Sequence, residues 1–334
     1  MQVWGALLAL YFVWGSTFIA IRLAVETIPP FLMAGFRFAI AGLIVVAWTA
    51  LRSGGIPPIT RRQVRDSTVV GGLLLGGGMG LVAWGEQTVN SGTAAVLIAL
   101  MPAWLAVFSR VLLGDRLPRI VGVGIAIGFA GVAILVAPTD AGSLDIPGAV
   151  ALLLSPISWS LGSLYAARRA SLPENGFFGT GVQMLAGAGV LGVMGLATGE
   201  LSRLDVPAIS ADSALGLAYL IFVGSLIGYR AYGFLLRNAP LPLVATYAYV
   251  NPVVAVLLGA LLLAESPGPR VLLGSVVIIV GVALIVTARS RTGPARPTVE
   301  PGREPASPAE PVPVRSMRTS PPPAPSVSPA GREA

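Results

Sequence analysis

The chain contains no cysteine, no histidine and no lysine; all 22 of its basic residues are arginine. Without Cys or His it lacks the thiolate and imidazole ligands on which zinc sites and iron–sulfur clusters are built, and it has no disulfide and no imidazole proton relay. No metal or other cofactor is therefore expected, and proton chemistry falls to carboxylates, tyrosines and water. Charge is scarce as well. Only 11% of the residues are charged, whereas a soluble domain carries about a quarter. The net charge of +7 would suggest nucleic acid only if the arginines clustered on a folded soluble face. They sit in short loops and a C-terminal stretch instead, so no nucleic-acid partner is expected.

What is present is apolar, 54% of the chain, with a mean hydropathy of +0.81, and it is written twice. Ala94–Val136 lies without a gap on Val244–Val286, at an offset of 150 positions. The matches include Pro102 with Pro252, Gly124 with Gly274 and Gly131 with Gly281, together with an acid, Asp115 with Glu265. Proline and glycine in register carry more weight than matched Ala, Leu or Val, because they mark kinks and close helix contacts. Each copy holds two apolar runs around a short polar turn. A run of about 20 residues is enough to cross the hydrocarbon core of a bilayer as a helix. A buried hairpin of a soluble bundle would show a polar face at helical spacing, and none recurs.

Ten such segments are read, at 3–24, 31–51, 68–88, 92–113, 119–137, 147–167, 178–198, 213–236, 241–263 and 270–288. The expected fold is an all-α integral membrane protein of ten transmembrane helices. Arginines collect in the even-numbered connections: Arg52, Arg61, Arg62 and Arg65, then Arg116 and Arg119, then Arg168 and Arg169, then Arg237, then Arg289 and Arg291. The odd-numbered connections hold mainly acids, among them Glu26, Asp145, Glu200 and Asp205, with Arg203, Arg270 and the nearby Arg22 as exceptions. The even connections and both termini are therefore expected in the cytoplasm. Five helices per repeat is an odd number, so the second copy must be inverted relative to the first. Such inverted five-helix repeats, read here as 3–137 and 147–288, are characteristic of secondary transporters. Trp14 also aligns with Trp159, and Gly76, Gly80 and Gly85 with Gly224, Gly228 and Gly233. Residues 289–334 hold twelve of the 28 prolines and no Leu, Ile, Phe, Trp or Tyr. They are expected to form a disordered cytoplasmic tail.

Polar groups inside a bilayer are costly and are candidates for function. Glu86, near the end of the third segment, and Arg37, in the second, are placed to form an ion pair; the alternative for Glu86 is a group that reaches the interface. Glu86 is the one acid read inside a hydrophobic segment. Arg230, beside Tyr229 and Tyr232, either snorkels to the headgroups or lines the pathway. Pro102 and Pro252 are expected to kink their helices and free the carbonyls of Ile98 and Ala248, and Asn251 beside Pro252 to orient a polar ligand. Trp14, Trp84, Trp159, Tyr165, Tyr247 and Tyr249, at comparable depth, are read either as a broad apolar or cation–π surface or, taken singly, as membrane packing and interfacial anchors. Asp115 and Glu265 are read as caps at the start of the fifth and tenth helices.

These features together resemble the drug/metabolite transporter superfamily, in particular its ten-helix members with tandem EamA domains. The resemblance covers about residues 3–288 and rests on Trp14-Gly-Ser-Thr17, Arg37-Phe, Pro102 with Gly114-Asp115-Arg116, Asn251-Pro252, Ala264-Glu265 and Gly274…Gly281. Trp84-Gly-Glu-Gln87 with Ser91-Gly-Thr93 is similar to a subgroup labelled amino-acid or metabolite exporters. Asp115 departs from the glutamate usual in that turn. The resemblance implies efflux of small metabolites, amino acids or drugs across the inner membrane by alternating access, with proton coupling admissible, and adds Thr17 and Gln87 to the substrate-binding candidates. Membrane lipids and a small-molecule substrate are the partners it implies; a second copy of the chain is an admissible one. The competing class is a membrane-embedded lipid-modifying enzyme or a lipid flippase. The isolated acids and the absent Cys and His argue against an enzyme.

Overall fold

The computed structural model describes residues 2–136, 145–239, 241–244, 246–265 and 267–291. Among these there are helices and connections and no strand. Eight helices are long and apolar enough to cross a membrane: α1 (Gln2–Ala24), α2 (Pro30–Ser53), α3 (Arg61–Gly85), α4 (Ser91–Leu113), α6 (Ile146–Arg168), α7 (Gly176–Ala197), α8 (Ala211–Leu235) and α10 (Pro269–Ala288). Two shorter apolar helices, α5 (Arg119–Leu135) and α9 (Tyr247–Leu262), stand where the fifth and ninth segments were read. The α10 helix continues to Arg291, so the expected tail loses its first three residues to it. The rest of that tail lies outside the described residues.

Packing follows the glycines. Gly124 of α5 lies against the Gly281 carbonyl of α10, where a Cβ would come within 2.8 Å, and Gly131 lies against the Gly274 carbonyl at 3.0 Å. Paired in this order, the two helices run antiparallel, as an inverted relation between the halves requires. The α2–α7 pair does the same, with Gly42 against the Gly181 carbonyl. Small residues let helix backbones approach where lipid offers no hydrophobic drive.

Two features repeat along with the sequence. Eight residues of α3, Gly72–Met79, and eight of α8, Leu220–Ile227, are wound as π-helix, 148 positions apart. The turn after α4 and the turn after α9 close identically, through Asp115 N–H to the Ser109 carbonyl (3.2 Å) and Glu265 N–H to the Gly259 carbonyl (3.1 Å).

The prolines behave differently from expectation. At Pro102 the helix does not merely kink: α4 ends its first part at Ile98, and Pro102 opens the second part at Met101. Pro252 lies inside the helix Tyr247–Leu262, and a separate helical turn, Leu241–Val244, precedes that helix. A proline in the first turn of a helix loses nothing, since that N–H has no intrahelical acceptor; one in the middle must be tolerated by its surroundings.

Acids in the connections tie distant elements together. The Glu200 carboxylate, buried between α7 and α8, accepts from Phe31 N–H (3.2 Å) and Leu32 N–H (2.9 Å) at the start of α2. Asp66, equally buried, accepts from Ser171 N–H (2.8 Å), Tyr165 O–H (2.9 Å) and Arg65. Asp145 accepts from Thr88 O–H and from Gly148 N–H, both at 2.7 Å. Glu265 accepts from Ser91 N–H (3.0 Å), Ser91 O–H (2.9 Å) and Gly92 N–H (3.3 Å). Glu265 thus caps α4 and not the start of α10, because α10 begins four residues further on while the donors of Ser91 face it. Asp115 caps nothing; it pairs with Arg168 at 3.1 Å. Those links that span two elements join helix ends and connections of the same parity, odd with odd or even with even.

The arginine exceptions on the odd side are also occupied. Arg22 donates to the carbonyls of Glu86 and Gln87, both at 2.6 Å, at the end of α3. Arg270 donates to the carbonyls of Ile134 and Leu135 at the end of α5, and Arg203 lies 3.9 Å from Glu200. A cation at a helix C-terminus answers the last free carbonyls and the negative end of the dipole.

Candidate functional site

A cavity of about 110 Å³ lies between the helices, and seven of the ten contribute to it. From α1 come Trp14, Thr17, Phe18 and Ile21, spaced i, i+3, i+4 and i+7 and so on one helical face. Arg37 comes from α2, Met79 and Val82 from α3, and Ile98 and Met101 flank the interruption of α4. The second half supplies Ser155, Pro156 and Trp159 of α6, Tyr229 of α8, and Tyr247 and Asn251 of α9.

Of the residues expected to bind substrate, Trp14, Thr17, Arg37, Trp159, Tyr229, Tyr247 and Asn251 line this cavity. Trp84, Glu86, Gln87 and Arg230 do not. Trp84 packs half-buried against the core, and Gln87 turns its side-chain amide back to the Trp84 carbonyl at 3.0 Å. Arg230 is exposed on the outside of α8, where a long arginine side chain can snorkel. Tyr165 is drawn away to Asp66, and Tyr249 lies outside the lining. The aromatic surface is therefore smaller than expected and built differently. Trp14 meets Tyr229 at 5.7 Å, and Tyr232 and Tyr247 at 5.2 Å each. Two glycines make room for its indoles: a Cβ on Gly228 would meet Trp14 Nε1 at 2.5 Å, and one on Gly78 would meet Trp159 Cε3 at 2.9 Å. Both stand in or beside the π segments, a distortion frequent at functional sites.

The expected Arg37–Glu86 ion pair is not formed in this conformation. Arg37 is buried, donates from Nε to Ser225 Oγ at 3.0 Å, and sets its guanidinium 4.7 Å from the Phe38 ring centre. Glu86 is fully buried, and neither carboxylate oxygen has a hydrogen-bond partner among the described residues. It is also not the only buried acid, since Asp66 and Glu200 are equally enclosed; Asp66 lies in the first turns of α3 and Glu200 in the connection that folds back onto α2, positions whose burial hydropathy does not reveal. Asn251 Oδ1 is buried without a hydrogen-bond partner among the described residues. Among the described residues no cluster of acids could hold a metal ion.

Ser155-Pro156 was not among the expected residues, although it carried a signal. Like Asn251-Pro252, it is a polar residue directly before a proline in the middle of an apolar run. The rest of the α1 face, Phe18 and Ile21, was readable from the spacing of Trp14 and Thr17.

Known proteins agree with this architecture. A solved crystal structure superposes with a TM-score of 0.58 over 87% of this chain and 97% of its own, at 21% identity, a likeness of fold alone. The Escherichia coli (strain K12) protein described as "uncharacterized inner membrane transporter YedA" is 41% identical over 304 residues, 90% of this chain and 95% of that one. The Salmonella typhimurium "probable amino-acid metabolite efflux pump" is 28% identical over 301 residues, 82% of this chain and 91% of that one. The family described as the EamA-like transporter family matches twice, at residues 3–137 and 146–287. The chain belongs to the EamA-like transporter family and is a membrane transporter, not an enzyme.

Proposed function

We propose that this transporter is a secondary active exporter of small metabolites that works by alternating access in the inner membrane. The observation that carries the reading is the cavity: helices of both halves wall it, so a tilt of one half against the other would open it to either side. The two repeats, 3–137 and 147–288, are then the moving bodies, inverted about an axis in the membrane plane. The names of the relatives favour the inner membrane and the outward direction, and the arginine bias favours cytoplasmic termini. A volume near 110 Å³ suits a small solute; an apolar cavity of about 150 Å³ takes up benzene. The test is reconstitution in proteoliposomes with a metabolite panel. Counterflow of at least one small solute that is abolished by Trp14→Ala is the expected result. Movement of labelled phospholipid with no solute counterflow would establish a flippase instead.

A further inference from the structure

Arg37 differs from the other deeply placed arginines. Arg22 and Arg270 spend their donors on carbonyls at helix ends. Arg37 is 4% exposed, and among the described residues only its Nε–H, of five N–H donors, has a protein acceptor, the Ser225 hydroxyl of the α8 π segment. No described carboxylate forms an ion pair with it. The four N–H groups on Nη1 and Nη2 are left for the cavity that Arg37 lines. A permanent cation held in an apolar enclosure is expensive unless something answers it. Gly224 keeps the place open, since a Cβ there would come within 3.2 Å of Nη2. The wall of the same cavity holds a second unanswered polar group, Asn251. Asn251 Oδ1 is buried, accepts nothing, and can only be satisfied by a donor.

We propose that Arg37 and Asn251 recognise a small organic acid, with its carboxylate on the Arg37 guanidinium and an amine or hydroxyl hydrogen on Asn251 Oδ1. The apolar remainder lies against Trp14, Trp159 and Tyr229. The planar guanidinium presents paired N–H groups that match a carboxylate's two oxygens. Few, well-placed polar groups in an aromatic enclosure are how small-molecule sites fix orientation. Ser225 acts as a positioning residue: it holds Nε and turns the fork toward the cavity. This assignment rests on the transport reading and names the substrate class for the same cavity.

The experiment uses the full chain in nanodiscs and four probes on one skeleton: leucine, 2-hydroxy-4-methylpentanoate, 4-methylpentanoate and 2-hydroxy-4-methylpentanamide. Binding is read by quenching of tryptophan fluorescence. Leucine or the hydroxy acid, depending on which donor Asn251 takes, should bind at least about tenfold more tightly than the two probes that lack a donor or a carboxylate, because each leaves a buried partner unpaired. Arg37→Gln should erase the preference for acid over amide, and Asn251→Ala should erase only the preference for the donor-bearing acid. Arg37→Lys, which keeps the charge, should retain part of the acid preference and serves as the folded control. If Arg37 served merely as counter-ion to Glu86, adding Glu86→Gln to Arg37→Gln would restore binding; such rescue overturns the proposal. Equal binding of acid and amide by the unaltered protein overturns it too. Should the reconstituted protein move other solutes while binding none of the four probes, the recognition proposal falls and the transport reading stands. Absence of any solute counterflow removes the transport reading itself.

Discussion

At the scale of single residues, the turn between α9 and α10 shows how much a small difference between the halves matters. Gly114 and Ala264 occupy the same place in the two repeats and both have left-handed backbone, φ +72° and φ +52°. Glycine accepts that conformation without cost, whereas a Cβ raises it by about 1–2 kcal/mol. Ala264→Gly should relieve most of this and lose about 0.4–1 kcal/mol through a more flexible unfolded chain. The net is a stabilisation of roughly 0.5–1 kcal/mol, to be measured by thermal unfolding in detergent. Its neighbour Glu265 should behave in the opposite sense. Glu265→Ala leaves Ser91 N–H and Gly92 N–H without the carboxylate that receives them, at a cost of about 1–3 kcal/mol. A change under 0.3 kcal/mol would mean that water replaces the carboxylate there. None of this was legible in the sequence beyond the presence of an acid in a turn. The acid's partner is 174 positions away, and local spacing could only suggest the nearest helix, α10. Arg37 and Asn251 were legible because a polar residue amid apolar ones is conspicuous without knowledge of its partner.

At the scale of elements, apolar run length placed most of the apolar helices to within a few residues, missed the starts of α3 and α9 by a turn or two, and was blind to how each helix is wound. A π segment occupies nearly the same length of apolar sequence as an α segment, so Gly72–Met79 and Leu220–Ile227 left no periodic trace. What they left was glycine, with Gly76 and Gly80 in register with Gly224 and Gly228, and Gly78 in the first half alone. Gly78 and Gly228 are where the indoles of Trp159 and Trp14 come down on the neighbouring helix. Gly228→Ala should therefore push the Trp14 ring into the cavity and lower counterflow several-fold, with the protein still reaching the membrane, because the obstacle is a side chain. Gly71→Ala meets the backbone oxygen of Gln183 instead, which cannot swing aside, so its expected effect is loss of folded protein, not of rate. Quantifying membrane-inserted protein beside the transport rate separates the two. Normal transport by Gly228→Ala would show that Trp14 does not have to hold its place.

At the scale of the whole molecule, the links across elements run odd-to-odd or even-to-even and so separate the two sets of helix ends, and arginine placement predicts the even set to be the cytoplasmic one. Reporter fusions after Arg65 and Arg169 should read cytoplasmic, and those near Asp145 and Asp205 periplasmic; a reversed pattern would overturn the orientation. The odd face then holds one group that the fold leaves unserved. Glu86 has Arg22, Arg37 and Glu265 as its charged neighbours, yet Arg22 is committed to backbone carbonyls, Glu265 to the start of α4, and Arg37 to the cavity. A buried carboxylate without partners is stable only while it can exchange its proton or find a counter-charge as the halves move. Arg37 is the neighbour that such a movement can bring to it, which would make the state of the cavity and the protonation of Glu86 depend on one another. With no histidine in the chain, Glu86 is the residue on which proton coupling would act. Glu86→Gln removes the proton site and keeps the size, so transport driven by a pH gradient should be abolished while downhill exchange of the same solute continues. If the variant keeps full pH-driven transport, Glu86 has no part in coupling, and its burial serves only the junction of α3 with α1 and α4.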